Sequence, residues 1–112
     1  MKVLGTRIVV EREVESVVKI ADAQGNTETT NYKKGKGKVI KVGPGSLLPN
    51  GEIVPPYIKE GDRVLFMPNA GTEIVFNGNK YLLMDEGSVL MVLENDETGD
   101  LVPIKPYAPN IQ

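Results

Sequence analysis

Apolar and polar residues alternate along this chain in short bursts, never at helical spacing. The first burst, residues 3–10, is rich in β-branched side chains and runs into charged Glu11, Arg12 and Glu13, which predicts a strand leaving the core. Val39, Ile40 and Val42 form a second cluster, closed by Gly43-Pro44-Gly45 because glycine permits positive φ and proline has no ladder donor. Leu47-Leu48 and Ile53-Val54 flank Asn50-Gly51, a pair suited to the two positive-φ positions of a type I′ turn. Residues 63–67 form a buried strand bounded by Glu60-Gly61-Asp62 and Pro68-Asn69-Ala70-Gly71. A second Asn-Gly hairpin joins residues 73–76 to residues 80–84 through Asn77-Gly78-Asn79, and residues 88–94 make a last apolar strand. Short strands at intervals of roughly ten residues, punctuated by Gly and Pro, predict an all-β chain folded as a small closed barrel.

Two stretches do not fit a barrel. Residues 15–36 begin with Val17, Val18 and Ile20 around Lys19, then turn almost wholly polar through Asn31. A loop beyond about 12–15 residues in a small domain is usually functional or disordered, because ordering costs roughly 1–2 kcal/mol per residue in backbone entropy. Docking of Val17, Val18 and Ile20 into a partner's groove would compensate, with the polar remainder as a tether. The competing reading is a hairpin arm, turning at residues 22–26, whose apolar residues face this protein's own core; the residues alone leave both open. The second stretch, residues 95–112, has an acidic turn followed by Pro103, Pro106 and Pro109. That spacing favours polyproline II, either as an arm on its own or a neighbouring subunit or as a ligand for an aromatic groove.

Composition narrows the chemistry. At 112 residues one core is expected, with a stability margin that self-association would widen. The chain has no cysteine, histidine or tryptophan, which excludes thiolate and imidazole metal sites and every histidine-dependent triad. The absence of disulfides and of a signal-like segment predicts a cytoplasmic protein, and no apolar run approaches the ~20 residues that span a bilayer. A net charge of -2 gives no field demanding nucleic acid or membrane.

Individual clusters carry weak signals. Lys33, Lys34, Lys36, Lys38 and Lys41 beside Tyr32 resemble a nucleic-acid patch but suit a solvated strand edge as well. Residues 95–100 have alternating carboxylates, yet lack the sixth-position glycine and terminal glutamate of a calcium loop. Gly35-Lys36-Gly37-Lys38 is too short for a phosphate cradle. No catalytic residue, metal ligand or cofactor site is nominated, and no enzyme activity is expected.

The order of motifs resembles the GroES-like co-chaperonin family across residues 3–94. Leu4-Gly5-Thr6-Arg7-Ile8-Val9-Val10 is similar to that family's opening motif, Gly37-Lys38-Val39-Ile40-Lys41-Val42-Gly43 to its Gly-x-Val-x-x-Val-Gly strand, and Gly61-Asp62-Arg63-Val64 to its Gly-Asp-x-Val strand. Residues 81–93 look like its closing strands. The resemblance implies a GroES-like barrel at residues 1–94, with residues 95–112 as a Pro-rich extension. It implies a homo-heptameric dome in which Val3, Leu4, Ile8 and Val10 of one subunit meet Val89, Met91 and Leu93 of the next. Residues 15–36 would be a mobile loop gripping a GroEL-like chaperonin through Val17, Val18, Lys19 and Ile20. Residues 46–54, with Leu47, Leu48, Asn50, Gly51 and Glu52, would be the hairpin roofing the dome. ATP would belong to the chaperonin, and client protein would be enclosed beneath the lid. Val3 and Thr6 stand where the family has proline and aspartate, Lys19 interrupts the loop's apolar anchor, and the tail runs past the usual end. These departures suggest a divergent member, viral or otherwise specialised, which if viral would work in a host cytoplasm. A nucleic-acid-binding barrel and a structural assembly protein are the alternatives.

Overall fold

The structure, a computed structural model, describes residues 1–102; from Pro103 onward the expected Pro-rich extension lies outside the described residues. Among the described residues eight strands follow in order: β1 (Arg7–Asp22), β2 (Gly25–Val42), β3 (Ser46–Leu47), β4 (Ile53–Val54), β5 (Arg63–Phe66), β6 (Thr72–Phe76), β7 (Asn79–Asp85) and β8 (Val89–Leu93). One 3₁₀ turn, Glu86–Ser88, links the last two. Six strands pair antiparallel in the order β6-β7-β1-β2-β5-β8, and β3 and β4 make a separate hairpin. The expected all-β architecture, a small barrel of the GroES-like kind, is the one observed.

One cluster fills the interior: Ile8 and Val10 from β1, Val39 from β2, Val64 and Phe66 from β5, Leu82 and Met84 from β7, with Ile58 from the preceding loop. Alternation explains the membership, since residues two apart on a strand face the same side. Burying side chains of this size contributes about 1.5–3 kcal/mol each relative to exposure, so these eight carry the barrel.

The two Asn-Gly hairpins differ. Asn77 and Gly78 both adopt positive φ, 51° and 80°, and Phe76 pairs with Asn79, so the turn has two residues of type I′ and Asn79, expected in the turn, belongs to the strand. At Asn50-Gly51 only Gly51 has positive φ, 88°. Gly51 N–H donates to Leu48 O at 2.9 Å and Leu48 N–H to Glu52 O at 2.8 Å, so Pro49, Asn50 and Gly51 form a three-residue loop. Pro49 has no N–H to donate to Glu52 O, as the closing pair of a two-residue Asn50-Gly51 turn requires, so Leu48 N–H makes that bond instead, and this corrects the expected turn.

β1 and β2 run far past the barrel. Only residues 7–10 of β1 pair with β7, and only residues 36–38 of β2 pair with β5; beyond them the two strands pair solely with each other, from Ser16 opposite Asn31 to Asp22 opposite Gly25. This two-stranded arm stands clear of the body. The radius of gyration is 18.0 Å, against about 13 Å for a compact domain of ~100 residues. At the base of the arm the register jumps: Arg12 opposes Gly37, but Val14 opposes Tyr32. Residues 33–36 on β2 face only Glu13 on β1, so β2 carries three extra residues in a bulge, the device that bends a strand and interrupts its ladder.

Candidate functional site

Three places carry the residues singled out in the sequence: the arm, the 46–54 hairpin and the edge of β8. On the arm, Val17, Val18 and Ile20 are all exposed, at 47%, 42% and 54%. None of them packs on the core, so the arm exists but its apolar residues are free. Strand alternation divides them. Val18 and Ile20 share one face, opposite Thr29 and Thr27; Val17 lies on the other with Lys19, opposite Thr30 and Glu28.

The hairpin at residues 46–54 leaves Leu47, Leu48, Ile53 and Val54 exposed, Leu47 most at 73%. Asn50 Oδ1 accepts from Glu52 N–H at 2.9 Å and holds the loop tip. Polar Asn50 and Glu52 thus crown an apolar pair of short strands.

β8 pairs with β5 on one side and with no strand on the other among the described residues. Beside its open edge lies a groove of about 370 Å³ lined by Tyr57, Ile58, Glu86, Gly87 and residues 89–92. Leu90 and Met91 are more than half exposed there, and Tyr57 is almost wholly so. An unpaired strand beside an apolar groove is a template for another chain. Sequence reasoning named Val89 and Met91 but missed Tyr57 and Leu90; Tyr57, alone after Pro55-Pro56, carries no periodic signal.

The opening strand lies inside the sheet. Residues 7–10 have both edges filled, by β2 and β7, and Ile8 and Val10 are fully buried in their own core. Leu93 is buried likewise. Their side chains are therefore internal to this chain. Gly5 and Thr6 are also tied inside the chain, through Gly45 N–H to Gly5 O at 3.0 Å and Glu86 N–H to Thr6 O at 2.9 Å. Thr6, which stands where the family has aspartate, donates its hydroxyl to Asp85 Oδ1 at 2.5 Å. That bond, with Gly87 N–H and the nearby Arg7, holds the Asp85 carboxyl below the usual carboxylate range. Residues 1–4 remain outside any strand, with Leu4 60% exposed and Val3 half-buried.

The lysine patch is largely neutralised. Lys33 pairs with Glu13 at 3.2 Å, Lys36 with Asp100 at 3.0 Å, and Lys41 approaches Glu60 at 3.9 Å. Lys36 is 3% exposed, out of reach of a phosphate backbone. On the other face of the arm's base Arg12 stacks 4.0 Å from the Tyr32 ring centre and pairs with Glu73 at 3.1 Å. Among the described residues no cluster of three or more carboxylate side chains is placed to hold a metal ion, and no helix is long and apolar enough to cross a membrane.

Comparison with known proteins joins these pieces. The family described as Chaperonin 10 Kd subunit matches residues 1–93. Co-chaperonin GroES of Staphylococcus carnosus is 44% identical over 94 residues, 84% of this chain and 99% of the relative. Co-chaperonin GroES of Geobacillus kaustophilus is 40% identical over 93 residues, 83% and 99% of the two chains. That of Aquifex aeolicus is 44% identical over 95 residues, 85% and 78%. Nothing in these matches supports a viral origin. With a family match that spans the whole barrel, both hairpins and the projecting arm, the chain belongs to the chaperonin 10 Kd subunit family.

Proposed function

We propose that this protein is a co-chaperonin: a non-enzymatic, ring-shaped lid of seven copies that docks on a GroEL-like chaperonin through its arms and encloses client protein. The carrying observation is the projecting arm with exposed Val17, Val18 and Ile20 on a chain 44% identical to a co-chaperonin GroES. A two-stranded ribbon is only marginally stable in water, so the arm beyond its base, residues 16–31, exchanges between paired and unpaired forms, as a mobile loop requires. Each arm offers little apolar area and binds weakly; seven tethered to one ring bind with avidity and still release.

The ring is closed, in this reading, by residues 1–4 of one subunit adding to the open edge of β8 in the next, with Leu4 entering the groove beside Tyr57, Leu90 and Met91. The hairpin at residues 46–54 roofs the dome. Nucleotide is bound by the chaperonin, the lid needs no cofactor of its own, and the assembly works in the cytoplasm.

The test is the triple substitution Val17→Ser, Val18→Ser, Ile20→Ser. A ring of unchanged mass that no longer binds chaperonin in the presence of ATP is expected. Unchanged binding would reject the arm as the anchor.

A further inference from the structure

The family match ends at residue 93, yet the chain past it returns to the base of the arm. A turn at residues 94–97 reverses direction: Glu97 N–H donates to Glu94 O at 2.9 Å, and Glu97 Oε1 accepts from Glu94 N–H at 2.8 Å. Arg63 on β5 donates to Glu97 O at 3.3 Å. Gly99 then passes over Leu93 and Leu65. Asp100 Oδ1 accepts from Lys36 Nζ at 3.0 Å, and Leu101 closes over Gly35. Both targets, Gly35 and Lys36, lie in the bulge where the arm leaves the barrel.

The geometry points to residues 95–101 as a clasp that fixes the direction of the arm by locking the bulge at its base. Lys36 explains why. Its side chain is 4% exposed, and a buried ammonium must be paired. Asp100 is the near partner; Glu13 lies farther, at 3.9 Å, and also serves Lys33 at 3.2 Å and Arg63 at 3.7 Å. Without Asp100 three cations share one carboxylate, and the bulge must open for Lys36 to reach water. Leu101 adds an apolar cover over the same backbone. The Asp100 carboxyl is held below the usual carboxylate range by the Lys36 hydrogen bond and charge, with Lys33 and Arg63 contributing.

An arm held in one direction loses less freedom on docking than one that swings. The clasp therefore strengthens binding, a consequence that rests on the arm being the chaperonin anchor; the clasp itself does not.

Hydrogen exchange on the free assembly, without chaperonin, separates the two. Wild type is compared with full-length Asp100→Lys, which adds a cation beside Lys36, and with Leu101→Ser, which removes the apolar cover. Amides of residues 33–37, at the base of the arm, are expected to exchange at least fivefold faster in both variants, roughly the mark of a lost local closure, while those of residues 64–66 and 82–84 keep their rates. Unchanged arm exchange in either variant overturns the clasp, as does equal acceleration in the barrel. Failure of the triple serine variant to lose binding leaves this result untouched.

Discussion

At Gly35 the backbone has φ of 61°, and a methyl group there would press on the Phe66 carbonyl oxygen and the Leu101 side chain. Left-handed geometry costs a non-glycine residue about 1–2 kcal/mol, and a clash with backbone cannot be relieved by a rotamer change. Gly35→Ala is expected to lower stability by about 2–4 kcal/mol and the melting temperature by roughly 10 °C or more, read by calorimetry. A shift under ~2 °C would mean the bulge relaxes freely. In the sequence Gly35 appeared only as part of a lysine-glycine run, because close approach of two chain segments leaves no local pattern. Asn77-Gly78 was legible since its turn depends on those two residues alone, whereas Pro49 reset the turn at Asn50-Gly51. Ile8, Val10 and Leu93 were recognisable as apolar strand residues. Alternation reports that a side chain is buried and not by which chain, and in the structure these three are packed inside their own.

The arm shows what pairing adds to composition. The sequence offered a docking loop and a self-packed hairpin as rivals, and the structure combines the pairing of one with the exposed apolar residues of the other. Its two faces are unequal: Val18 and Ile20 make a continuous apolar strip, while Val17 is flanked by Lys19 and opposed by Thr30. If the arm docks as a ribbon, one face meets the groove and the other meets water. Val18→Ser with Ile20→Ser is therefore expected to weaken chaperonin binding by a factor of about 100 or more per ring, and Val17→Ser by less than ~3, since small apolar losses multiply across tethered copies. Calorimetric titration with ATP-bound chaperonin distinguishes them, and equal losses would mean the arm docks in an unpaired form. The bulge that separates arm from barrel had no sequence signature: its three extra residues are set by the pairing of distant strands.

Across the whole molecule, the barrel satisfies its core within one chain and leaves its unmet bonding at the rim. The six-stranded sheet ends on β6 at one side and β8 at the other, and the groove beside β8 concentrates the exposed apolar residues Tyr57, Leu90 and Met91. Removing residues 1–4 takes away the segment assigned to that edge and touches none of the core. The expected outcome in native mass spectrometry is a fall from seven times 12.2 kDa toward the single chain, with β-sheet circular dichroism retained. A ring of full mass would place the subunit contact elsewhere. Because Arg12 opposes Gly37 while Val14 opposes Tyr32, the barrel and the arm keep separate registers. Residues gained or lost in the arm shift nothing in the ladder below the bulge, and a one-residue slip above it exchanges which side chains face outward without disturbing Ile8 or Val10. The break is thus a joint between a part that inheritance must hold constant and a part it is free to rewrite, so that a lid of this kind can change the chaperonin it fits without relearning how to fold.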